Sequence, residues 1–134
     1  MTSPSLELQG AVVARLKAYP GLAALVEARV FDRVPEKAEL PYLSWGPEQA
    51  ISDDAEGITG FDVTIQIDAW SRKVGLPEVK RIAEQVRLAL TEQELALDDN
   101  ALVLVEHRQT RILPEPDGLT SHAAIEFAAF IEQP

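Results

Sequence analysis

The sequence predicts an α+β domain: an antiparallel β-sheet with two main helices packed on one face and a long C-terminal β-hairpin. Three stretches carry that prediction. "FDVTIQIDAWSR", Phe61 to Arg72, alternates apolar and polar residues as a half-buried strand does. Directly after it, Leu76, Val79, Ile82, Ala83, Val86 and Leu90 recur at helical spacing. Near the C-terminus "PEPDG", a turn fixed by two prolines and an Asp-Gly pair, separates two strand-like runs.

The chain opens with a helix over "SPSLELQGAVVARLKAY". Ser3 is its cap, Pro4 suits the first helical position, and Leu8, Val12, Leu16 and Tyr19 form its apolar stripe, with Leu6 and Val13 beside them. Pro20-Gly21 stops it, and a short helix is expected from Leu22 to Ala28. Val30 and Phe31 read as a brief strand. Pro35 and Pro41 bracket a polar loop, and "YLSWG", Tyr42 to Gly46, reads as a second strand ended by Pro47. Residues 48–60, "EQAISDDAEGITG", hold four acids, no basic residue and two glycines, and predict an exposed loop. The alternating strand and the amphipathic helix follow, the helix opening at Gly75-Leu76-Pro77-Glu78 and ending near Thr91. In the hairpin, "ALVLVEHRQTRIL" begins apolar and turns charged, while "SHAAIEFAAFIEQ" puts Ala123, Ile125, Phe127, Ala129 and Ile131 on one face. A turn centred near Pro116 sets His107 across from Glu126 and His122 across from Arg111, so His107 is expected in a cross-strand charge pair. No repeat and no long linker divides the chain, so residues 1–134 are expected to form one domain.

Composition bounds the function. At 46% hydrophobic and 25% charged, 134 residues suffice for a packed core. There is no cysteine and there are two histidines, which excludes disulfides, thiolate chemistry and a multi-histidine zinc site within one chain. No apolar run reaches the ~18 residues of a membrane span, and the N-terminus lacks a signal-peptide layout. The chain is therefore expected to be soluble, without a membrane partner, and to act where it is made or in a particle assembled there. A net charge of −10 argues against wrapping nucleic acid, yet an acidic wall lets phosphates slide past without sticking.

Two sets of residues are candidates for contact. The polar side of the central strand carries Asp62, Thr64, Gln66, Asp68 and Trp70. Its plainest reading is a solvated sheet face, but an indole there wants cover, and Trp is enriched at interfaces. The second set is Asp53, Asp54 and Glu56 in the acidic loop, Glu115 and Asp117 at the hairpin turn, and Arg108 and Arg111 on the strand leading to it. The acidic spacing does not fit a twelve-residue calcium loop, and Asp117 is a natural turn former. No P-loop, dinucleotide fingerprint, HExxH or GxSxG occurs. No catalytic, metal or cofactor site is therefore assigned, and the chain reads as a non-enzyme.

The order of these motifs resembles the tail-completion, or tail-terminator, proteins of long-tailed bacteriophages and gene transfer agents. The resemblance lies in "SPSLELQGAVVARLKAYPGLAALVEARVFDRVPEKAELPYLSWG", with its Leu-Gln helix, a segment ending in "LV", an aromatic-Asp followed by "VP", and "PY" leading into a strand. It continues in "DVTIQIDAWSR" running directly into a helix, and in "RILPEPDGLTSHAAIEFAAF". What it implies is structural work without catalytic residues: a homo-oligomeric, usually hexameric ring at the head-proximal end of the tail tube. Such a ring stops tube growth and joins the tube to the head-side connector or stopper protein, and DNA passes through its lumen without specific binding. The implied location is the virion's head–tail junction, after assembly in the bacterial host's cytoplasm. Within such a ring the polar strand face would meet a neighbouring subunit or line the lumen, and the second set of residues would reach partners. Three alternatives stand beside it. They are a head–tail joining ring, a small binding module using the polar face, and an enzyme recruiting a divalent metal at Asp53-Asp54-Glu56.

Overall fold

The computed structural model describes residues 2–134. Helix α1 spans Pro4–Ala18, and its Ser3 cap accepts a hydrogen bond from the Leu6 N–H at 3.3 Å. Pro20 does break α1, but it does so by opening α2, Pro20–Val26, rather than by leading into a helix at Leu22. At Gly21 the backbone comes close to the end of the Gln85 side chain on the third helix. Strands β1 (Val30–Phe31) and β2 (Tyr42–Trp45) follow, paired in parallel.

The segment read as a loop contains a strand, β3 (Gln49–Ser52), which is a correction. It folds back on β4 (Thr59–Ser71) through a turn in which Gly57 takes a φ of 76°. All four β3 residues are exposed, so backbone pairing rather than burial makes the strand, and no alternation marks it. Helix α3 runs Pro77–Thr91, with Val79, Ile82, Ala83, Val86, Ala89 and Leu90 buried. Leu76 is its cap residue and is exposed, not part of the stripe. Strands β5 (Ala101–Pro114) and β6 (Ser121–Gln133) complete the hairpin.

The sheet runs β1-β2-β4-β6-β5, with β3 paired to the first half of β4 beside β2. Apart from β1 with β2, every pair is antiparallel. Phe61, Val63, Ile65, Ile67 and Ala69 of β4 lie opposite Ile131, Ala129, Phe127, Ile125 and Ala123 of β6. That face meets Leu8, Val12 and Leu16 of α1, Leu22 and Val26 of α2 and the α3 stripe in one core. Two main helices, α1 and α3, and the short α2 therefore cover the face, as the sequence predicts. Polar ties fix the layer. Arg15 donates to the carbonyls of Ala89, Gln93 and Glu94, closing the C-terminal end of α3. The Glu7 carboxylate accepts from the Asp99 and Asn100 N–H groups at 2.8 and 2.9 Å, which holds its pKa below the usual carboxylate range.

The hairpin register differs from expectation. The strands meet at Pro114 and Ser121, so the turn is longer and centred nearer the C-terminus, and bulges fall at Val103 and Arg108. His107 lies opposite Phe127, not Glu126, and its ring meets Phe127 edge-on while bonding Thr110. Gln109 takes the place beside Glu126, and His122 faces Leu113 rather than Arg111.

Candidate functional site

Among the described residues no helix covers the other face of the sheet, and the alternation of β4 puts Asp62, Thr64, Gln66, Asp68 and Trp70 there. The ladder sets them in rows across the strands. At one end Tyr42, Trp70, His122 and Leu113 lie side by side, and at the other Ile51, Asp62, Phe130 and Leu104.

The Trp70 end is closed by contacts within the chain. Asp68 is only 7% exposed. Its Oδ1 accepts from Gln66 Nε2 at 2.8 Å and lies 2.6 Å from His122 Nε2. The other ring nitrogen, Nδ1, is 3.5 Å from a Glu115 carboxylate oxygen, so the imidazole bridges the central strand to the hairpin turn. The His122 ring stacks on Trp70 with centroids 3.9 Å apart and planes 7° from parallel, and Trp70 Nε1 donates to Ser44 Oγ at 3.0 Å. Gly46 lets β2 approach this point, for a Cβ there would stand 2.6 Å from Asp68 Oδ2. The two carboxylates approach different nitrogens of the ring, and no metal-holding group of three ligands occurs among the described residues.

The Asp62 end is open. Asp62 is exposed, and Asp53 comes beside it at the start of the β3–β4 turn. Loss of water in the groove, and then the Asp53 charge, push the Asp62 carboxyl above its ordinary value. A shallow groove of about 410 Å³ runs from Asp53 and Asp62 past Phe130 to Leu104, Glu106 and Arg108. Asp54 is occupied in holding the turn, accepting from the Gly60 N–H at 3.0 Å, and Glu56 is exposed at its tip. Arg108 lies 3.8 Å from Glu106, and Arg111 is exposed with no carboxylate within 4.0 Å among the described residues. Asp117 accepts from Thr120 Oγ1 and from the N–H groups of Thr120 and Leu119, and these bonds hold its carboxyl down to about 2. Arg72 stands 3.7 Å away.

The structure thus joins Asp53 to Asp62, brings Glu115 to Asp68 through His122, and leaves Arg111 free at the sheet edge. Sequence reasoning missed His122 as the centre of the closed end. A signal existed: laying the five alternating apolar residues of β4 against those of β6 in antiparallel order puts His122 beside Trp70.

A family model described as tail completion protein gp17 matches residues 10–132 of the chain. Among solved structures, a chain from the virion of a native gene transfer agent (GTA) particle is 26% identical, with a TM-score of 0.90 over 98% of this chain and 99% of that one. The gp17 protein of bacteriophage SPP1 is 22% identical, with a TM-score of 0.66 over 93% and 88%, and shares the fold. No curated protein gives a significant match.

Proposed function

The chain belongs to the tail completion protein gp17 family, and from that premise we propose that it is a structural virion protein whose copies form a hexameric ring capping the head-proximal end of a tail tube. The ring joins the tube to the head-side connector, and DNA passes through its lumen. The end-to-end likeness to a chain of a gene transfer agent virion carries this reading. The uncovered sheet face supports it, because a sheet packed on one side only has a second surface to give to neighbours or to a bore. Asp62 is exposed on that face, and Thr64, Gln66 and Trp70 are half-buried; in an acidic chain such a wall repels phosphate and lets DNA slide. Asp68 and Trp70 stand behind that wall, spent on contacts within the subunit. Asp53, Asp54, Glu56, Arg108 and Arg111 are the contacts to neighbouring copies, and Glu115 and Asp117 lie at the end that meets a partner ring. One domain, residues 1–134, does this work, and it is not an enzyme.

Deleting the coding sequence from the producing genome tests the reading. Electron micrographs should then show heads without tails and free tails of irregular length. Joined particles with tails of normal length would overturn it.

A further inference from the structure

Beyond the pair Ser71 and Ser121, where β4 and β6 end and begin, two connections lie side by side at one end of the sheet. One is the loop from β4 to α3, residues 72–76, and the other is the β5–β6 turn, residues 115–120. Polar bonds lace them together. Arg72 Nε donates to Thr120 Oγ1 at 3.0 Å, and the Arg72 guanidinium stands 3.7 Å from Asp117, which the same turn already holds by three hydrogen bonds. Ser121 Oγ donates to the Gly75 carbonyl at 3.5 Å, and the Lys73 N–H donates to Ser71 Oγ at 3.2 Å. Gly75 and Gly118 make the two bends, with φ of 81° and 71°. Each connection thus fixes the shape of the other.

This platform holds apolar side chains out in water. Val74 is 98% exposed, Leu119 69% and Leu76 38%, and all three line one cleft of about 430 Å³ between the connections. Single exposed apolar residues are ordinary, whereas three around one cleft mark a contact surface. The charges sort by direction. Glu78 accepts from Ser71 Oγ at 2.7 Å, Glu115 approaches His122, and Asp117 is bound in its turn, so these carboxylates are engaged within the chain. Lys73, Lys80 and Arg81 are exposed and have no carboxylate within 4.0 Å among the described residues. Lys80 and Arg81 stand near the start of α3, where the helix dipole gives cations no stabilisation. In a chain of net charge −10, four of the twelve basic residues fall between Arg72 and Arg81.

We propose that this end of the subunit docks on a different protein, one that offers an apolar recess bordered by carboxylates, with Val74 and Leu119 filling the recess and Lys73, Lys80 and Arg81 meeting its rim. This rests on the structural-virion reading above and names the chemistry of one contact to a neighbouring component. A protein fits better than nucleic acid. Phosphates would pair with the cations but leave both apolar side chains in water, and Glu115 and Asp117 beside the cleft would repel them. A second copy of the chain fits less well, since it carries the same −10. Contacts between this end of one copy and the other end of the next would also string copies into fibres rather than close. Because the two connections already hold each other, docking here orders little further chain, which favours binding.

Two full-length variants and one cross-linking probe test the surface. The first variant carries Val74→Ser and Leu119→Ser, and the second Lys73→Glu, Lys80→Glu and Arg81→Glu. All five side chains are exposed, and melting by circular dichroism checks that both variants are folded. Supplied to a deletion genome, each should lower the count of joined particles at least ~10-fold, as loss of central apolar anchors or of a charge match does. The probe is Leu119→p-benzoylphenylalanine, irradiated in the producing cells, with the cross-linked peptide identified by mass spectrometry. It should join to a different polypeptide, at an apolar segment flanked by Asp or Glu. A cross-link to a second copy, to DNA or to a basic segment overturns the proposal, as does none at all from a probe chain that still supports joining. Normal joining by either variant also overturns it. If the expected cross-link forms while the deletion leaves particles joined, the tail-end function falls and the docking surface stands. If the deletion abolishes joining while both variants join normally, the surface falls and the function stands.

Discussion

The two ends of the open sheet face both hold carboxylates and use them in opposite ways. At the Trp70 end, a carboxylate, an imidazole and an indole satisfy one another, and Asp68 is 7% exposed. At the Asp62 end, two carboxylates lie together with no cation within 4.0 Å among the described residues, and Ile51 and Leu104 stand half in water. A buried polar group is held by partners or it is costly. The closed end therefore works for the fold, and the open end leaves its groups to water among the described residues. A polar row on a strand is not one surface, and its function is to be sought where its groups lack partners.

Breaking the closed end should have the largest effect. Asp68→Ala leaves Gln66 Nε2 and one His122 nitrogen without their acceptor in a poorly hydrated place, and should cost about 2–3 kcal/mol of stability. His122→Ala should cost a similar amount, and the double variant should fall short of the sum by about 1 kcal/mol or more, because both remove the same bond. Urea denaturation measures all three. A loss under about 0.5 kcal/mol for Asp68→Ala would remove the distinction between the ends.

Trp70→Phe sharpens the comparison at lower cost. It keeps an aromatic ring over His122 but deletes the Nε1–H that Ser44 accepts, and a loss of about 1 kcal/mol is expected. Ser44→Ala in the Trp70→Phe background should add little, since the bond is already gone. A full further loss of about 1 kcal/mol would assign Ser44 another role.

Much of this was legible beforehand, and what was not has identifiable causes. Burial leaves a period in the sequence, which is why α1, α3, β4 and β6 stood out. Parity on β4 also placed all five residues from Asp62 to Trp70 on the correct face. β3 left no period because water reaches both of its sides. The β5 register was hidden because bulges at Val103 and Arg108 insert residues without any marking composition, and each slips the pairing. The identity of Asp68's partner depends on register between strands more than fifty residues apart, and reading the hairpin alone sent His122 to the wrong neighbour.

The smallest effect, and the one of opposite sign, belongs to Asp62. Its folded-state carboxyl is raised, by lost hydration and by Asp53, so the native state binds its proton more readily than the unfolded chain does. The stability this lends is complete at low pH and disappears as pH rises through the raised value. At neutral pH the ionised pair repels itself, and Asp62→Asn should leave stability unchanged or slightly higher. Asp117, beside the closed end, runs the other way. Held down to about 2 from an ordinary 3.8 by the Thr120 hydroxyl and the Thr120 and Leu119 N–H groups, it contributes above 3.8 and loses that contribution as pH falls towards 2. Carboxyl chemical shifts followed by NMR from pH 2 to 7 should show Asp117 titrating below the ordinary aspartate value and Asp62 above it. If Asp62 titrated at or below the ordinary range, or Asp62→Asn destabilised the chain at pH 7, then the open end would already be satisfied within the subunit. Its charge would no longer be in want of a neighbour.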